Sequence, residues 1–241
     1  MLGRRLYVNP PVVEVVYLVR LTEPWKCTSD EAENLFDLVR ETYDGLPFIE
    51  GGDYRRLLRT KNSDPRFCRF RTKDGSRWFQ VGGIDIQIGT TPPYDDWEKF
   101  ENRIAIVIDA IERVHTGLKA DRLSLDYTNQ LILGREEPEQ DYIGIWPGPL
   151  DGFPNEKSTQ YTDVRHERDD GSASSLIFAS PASREHEKLV TFKIAEGIGR
   201  LDRPLTETLE SARECHDRIN SRFEKLITDR ARLRFGKEGD L

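Results

Sequence analysis

Residues Asn9–Leu21 read NPPVVEVVYLVRL, and the reading of this stretch decides the fold class. Val13, Val15, Tyr17, Val19 and Leu21 are apolar at every second position, so one face of an extended strand belongs to a core. The alternate positions, Val12, Glu14, Val16, Leu18 and Arg20, form a mixed face. One buried and one mixed face is the pattern of an antiparallel sheet that carries its helices on a single side. Glu14 stands out, because a carboxylate among valines is costly unless it is paired. Arg20 lies about 20 Å away at ~3.3 Å per residue and cannot be its partner. The expectation is a structural ion pair across the sheet, with Arg122 or an arginine of the segment Arg66–Arg71.

Working outward, Thr28-Ser-Asp-Glu31 has the form of a capping box, followed by Ala32, Leu35, Phe36, Val39 and Tyr43 at helical spacing. Short strands follow at Arg66–Arg71 and Arg77–Val81, then Gly82-Gly83 and Ile84–Ile88. Two glycines between such runs predict a hairpin. Asp95-Asp-Trp-Glu98 opens a second helix, whose stripe runs through Trp97, Phe100, Ile104, Val107, Ile108, Ile111 and Val114. Arg122–Leu133 is a further strand. Strands are expected around Ser158–Arg168, Ser174–Ala179 and Lys188–Ala195, the first polar enough for an edge. Leu205, Leu209, Ala212, His216, Ile219, Phe223 and Leu226 then predict one long helix.

The predicted class is therefore α+β: antiparallel sheet with long amphipathic helices on one face, in two similar halves each ending in a helix. Residues 1–133 form a β-α-β-β-β-α-β half and 158–241 a β-β-β-α half, as one compact domain or two tightly packed lobes. Between them, 134–157 is an irregular loop with four prolines and four glycines.

Charged residues make up 33% of the 241-residue chain and net charge is −7, which argues against a general nucleic-acid coat. Aliphatic runs stay far below the ~20 residues of a membrane span. No signal-peptide pattern is present, and three scattered cysteines give neither a disulfide framework nor a zinc site. The expected location is cytoplasmic, with no membrane association.

The strand NPPVVEVVYLVRL, the helix start YDDWEKF, DRLSLDYTNQL and a C-terminal helix with His216, Phe223 and the ending RFG resemble an uncharacterised, sporadically distributed bacterial protein family of similar length. The resemblance runs from Asn9 to Gly236 and departs from the family pattern at Asp126 and Thr128. It implies no established activity. Sporadic distribution is common among defence, immunity and mobile-element genes.

The four histidines have no metal-ligand spacing, and no nucleophile elbow, Walker A or dinucleotide fingerprint occurs. No cofactor, metal or catalytic residue is expected. Glu14 and Asp126 both fall on strand faces opposite apolar ones, the arrangement an acid–base or metal-dependent nuclease chemistry would need. Between Asp53 and Arg77, nine basic residues face three acidic ones. Arg55, Arg56, Arg59, Arg69 and Arg71, with Trp78, make that segment a candidate surface for an anionic ligand or nucleic acid. In the loop, Tyr142, Ile145 and Trp146 are candidate partner contacts, since rigid aromatics draw binding energy at interfaces. The leading expectation is a non-catalytic, immunity- or defence-accessory-like protein that binds another protein of the same operon or complex, with homo-oligomerisation possible. The phosphate or nucleic-acid binder comes second, and the metal-dependent nuclease third.

Overall fold

The computed structural model describes residues 7–45, 47–49, 52–53, 67–94, 96–147, 160–180 and 187–236. In chain order the strands are β1 (Val12–Trp25), β2 (Phe48–Ile49), β3 (Gly52–Asp53), β4 (Cys68–Arg71), β5 (Arg77–Val81), β6 (Gly83–Thr90), β7 (Lys119–Gly134), β8 (Gln160–Glu167), β9 (Ala173–Ser180), β10 (Glu187–Ile198) and β11 (Arg203–Pro204). The helices are α1 (Ser29–Val39), α2 (Trp97–Val114), α3 (Thr208–Leu226) and α4 (Asp229–Phe235). All strands join one antiparallel sheet in the order β3-β2-β4-β5-β6-β1-β7-β10-β9-β8, with β11 paired to β7. This is an α+β fold. No helix among the described residues is long and apolar enough to cross a membrane.

β1 extends four residues beyond the expected strand and lies at the centre of the sheet, between β6 and β7. Its Val15, Tyr17, Val19 and Leu21 are buried, as the alternation requires. They meet Ile86 and Ile88 of β6, Leu123, Leu125, Leu131 and Leu133 of β7, and Val190, Phe192 and Ile194 of β10 in one core. Helix α3 covers β7 and β10, while α2 packs against α1. The Tyr17 hydroxyl would be costly inside this layer without a partner. It bonds Thr208 Oγ1 at 2.6 Å, and burial pushes its pKa well above the usual tyrosine range.

Local signals set the element boundaries. Glu31 N–H donates to Thr28 Oγ1 at 3.2 Å, and Thr28 N–H donates to Glu31 Oε2 at 2.7 Å, which closes the capping box. Glu31 Oε1 also lies 2.9 Å from His115 Nδ1, so one carboxylate ties the start of α1 to the end of α2. Asp96 caps α2 by accepting from Lys99 N–H at 2.7 Å. Gly82 and Gly83 both take positive φ in the β5–β6 hairpin. The polar strand β8 occupies the sheet edge, where its composition placed it.

One expectation is corrected. The single C-terminal helix is two: α3 ends at Leu226, Ile227 is extended and bridges Ile143, and Thr228 caps α4 by accepting from Ala231 N–H. The apolar spacing carries on through the break, but the buried edge at Ile143 needs an extended partner.

Candidate functional site

The described helices pack on one side of the sheet, and the opposite side is formed by the alternate residues of each strand. Sheet register places these in rows. One row runs Arg71, Trp78, Gly89, Val16, Asp126, Ala195 and Ser175. The next runs Arg69, Gln80, Gln87, Leu18, Ser124, Gly197 and Ala173. A third begins at Glu14 and continues through Thr128, Lys193 and Ile177. Ser124, Ala195, Gly197 and Ala173 present little side chain over β7, β10 and β9.

Two constructions stand on this floor. Trp78 is buried, with its indole flat on Gly89: a Cβ added there would lie 2.3 Å from ring atom Cζ2. The Arg69 guanidinium sits over the indole, 4.1 Å from the ring centre. Desolvation, and then the Arg71 charge, lower the Arg69 pKa, while Glu14 opposes them. Across β1, Asp126 Oδ2 meets Lys193 Nζ at 2.5 Å. Asp126 is two residues along β7 from Thr128, the partner of Glu14, which makes the two carboxylates diagonal neighbours, typically ~7–8 Å apart.

The structure brings together Glu14, Arg69, Trp78 and Asp126 among the sequence candidates, and adds Lys193. Arg55, Arg56 and Arg59 lie outside the described residues. The expected Glu14–Arg122 pair is corrected. Arg122 stands opposite Arg20, six residues along β1 from Glu14, and pairs instead with Asp121 at 3.4 Å. The other expected source, the segment Arg66–Arg71, supplies Arg69: Glu14 is half-buried, and its charge acts favourably on that guanidinium.

Behind the face, on the helix side, Glu196 is fully buried. Its Oε1 is 2.6 Å from Arg222 Nε, its Oε2 accepts from Ser174 Oγ at 3.0 Å, and Arg168 Nη1 approaches to 3.8 Å. Arg168 and Arg222 both also donate to Ser174 Oγ, so the cluster binds β9, β10 and α3 together. Burial, aided by the Glu196 charge, pushes the neighbouring Cys215 thiol up to about 12, which keeps it a thiol at neutral pH. His216 stacks on Trp97 at 4.1 Å with the rings 6° apart. Its Nδ1 lies 3.0 Å from Tyr127 Oη and its Nε2 2.9 Å from Asn220 Nδ2. These contacts fix His216 as a packing residue joining α2, α3 and β7.

The loop after β7 is a latch rather than a free arm over its described part. Glu137 accepts from the Tyr142 hydroxyl, from Gly134 N–H at 2.7 Å and from Arg234 Nη1 at 3.1 Å. These bonds hold its carboxyl at about 2. Arg230 and Arg234 stack on the Tyr142 ring from 5.0 and 5.4 Å. Tyr142 and Ile143 are buried, and Trp146 lies edge-on to Phe178 at 5.2 Å. Of the partner candidates in the loop, Ile145 is exposed, Trp146 half-buried and Tyr142 enclosed.

Among the described residues, no group of three or more His, Cys, Asp or Glu side chains is placed to hold a metal ion. Compared with known proteins, the chain matches no family model and no curated protein sequence.

Proposed function

We propose that this protein is a non-catalytic binding protein that engages another protein through the side of its sheet opposite the described helices. The observation that carries this reading is the mixture of both signs on that side. Asp126 meets Lys193, Arg20 stands opposite Asp85, and Glu14 opposes the forces acting on Arg69. A surface for a phosphate backbone is uniformly basic. A half-buried surface of mixed charge suits a folded partner of complementary charge pattern. The immunity- or defence-accessory setting comes from the sequence resemblance alone.

Charge reversal tests this reading. Lys193→Glu and Asp126→Lys should each abolish association with the products of genes adjacent in the same operon, with melting temperature nearly unchanged. Association that survives both reversals refutes it.

A second reading has its own observation. The Arg69–Trp78 stack presents a cation over an aromatic face, which suits a planar anionic ligand. Titration with a mononucleotide and a short oligonucleotide over a salt series separates the two. Binding that weakens with salt and is lost in Arg69→Ser favours the anionic ligand.

A further inference from the structure

The sheet ends at β8, which has no strand on its outer side among the described residues. Asp163 through Glu167 are exposed, and Tyr161 and Val164 keep 66% and 57% of their surface in water. An exposed edge strand is a template for another strand, and charged residues usually blunt it. The charges of β8 do something more specific.

Opposed residues in an antiparallel pair both turn their backbone groups inward or both turn them outward, so a two-fold axis between two identical strands must set one residue opposite its own copy. Centred on Asp163 it would oppose two aspartates. Centred on Arg165 it would oppose two arginines and set Asp163 against Glu167. Centred on Val164, it sets Asp163 against Arg165 twice, Thr162 against His166, Tyr161 against Glu167 and Val164 against its own copy. That register overlaps the whole strand from Tyr161 to Glu167, compensates Asp163 and Arg165, and covers the exposed valine.

We propose that β8 pairs antiparallel with β8 of a second copy of this chain, about a two-fold axis at Val164. Such an interface is isologous, each copy giving the same patch. The axis stands normal to the sheet, so the two sheets become one and the helix layers of both copies lie on the same side. Asp163 already accepts from Ser175 Oγ at 2.9 Å and Arg165 pairs with Glu167 at 2.8 Å. Both side chains are thereby held on one face of the strand, where the second copy would meet them.

Sedimentation equilibrium of the purified full chain over a dilution series, with Asp163→Arg, Arg165→Asp and the double variant, tests the register. Each single reversal replaces two opposite-charge pairs by two like-charge pairs and should weaken dimerisation by about tenfold or more. The double variant restores the pairing and should return the wild-type dissociation constant. Thermal melts of the dissociated species should coincide for all four proteins, which excludes misfolding as the cause. A wild type that stays monomeric at every concentration overturns the proposal. So does a dimer indifferent to the single reversals, or one that the double variant fails to restore.

Discussion

Replacing Gly89 with alanine should destabilise the protein, although alanine is ordinarily the better residue in a strand. Gly89 lies in the interior of β6 and has no positive φ, so the backbone accepts a side chain. What it lacks is room. The added Cβ would lie 2.3 Å from Trp78 Cζ2, and ordinary contact begins near 3.4 Å, so the indole must move by roughly 1.1 Å. Overpacking of this kind costs about 1–3 kcal/mol. Displacement of the ring also loosens the Arg69 stack, worth about 0.5–1 kcal/mol at a half-exposed site. In a Trp78→Ala background the obstacle is gone, and Gly89→Ala should become neutral or stabilise by about 0.4–1 kcal/mol through the stiffer unfolded chain. Urea unfolding of the four proteins in the double-mutant cycle measures this change of sign. An equal cost of Gly89→Ala with and without the indole would refute the argument that the glycine exists to seat Trp78.

Glu137 is held at about 2 against an unfolded value of 4.5, so its contribution to the latch is complete above pH 4.5 and lost as pH falls through about 2. Protection factors at Tyr142–Trp146, corrected for the intrinsic pH dependence of amide exchange, should therefore fall in wild type across that window, and Glu137→Gln should show the lower protection already at neutral pH. Glu196→Ala removes the buried partner of Arg222 and Arg168, and should cost about 3 kcal/mol in urea unfolding, the lower end for a broken buried pair because both arginines reach water. Trp146→Ala should cost about 2–3 kcal/mol, less than full tryptophan burial, through its lost packing on Phe178; an unchanged melting temperature would return Trp146 to the surface. Glu14→Gln should change stability by less than about 1 kcal/mol, since the carboxylate is half-exposed; a loss above that would mean that Glu14 has a buried partner.

Much of this architecture is legible in the sequence wherever the signal is local. The alternation of β1, the Thr28–Glu31 box, the double-glycine hairpin and the stripe of α2 all depend on residues within a few positions of one another. Strand order is not local. Nothing in the chain between Arg122 and Leu133 announces that β10 will lie beside β7, so the Asp126–Lys193 pair and the role of Glu196 escape a reading by motif. The Glu14–Arg122 expectation erred for a related reason. Antiparallel register runs the two strands in opposite directions, which sends Arg122 to Arg20 and leaves Thr128 opposite Glu14. Thr228-Asp229 did carry a capping signal for α4, masked by apolar spacing that continues through Ile227.

The central position of β1 has a consequence for synthesis. β1 is made before either of the strands it pairs with: β6 finishes at Thr90, and β7, on the other side, begins at Lys119. Until then a run of valines stands with both edges open. Further along, Val8 and Asn9 bond to Gly236 and Phe235, so the stretch leading into β1 also waits for the end of α4. Contacts so distant in sequence make for slow, late-committing folding and a long interval in which the nascent strand is exposed to aggregation. A circular permutant that joins this meeting point and opens the chain before β7 would place β7 and β10 first. It should refold faster than the natural order if the delay at β1 governs the rate.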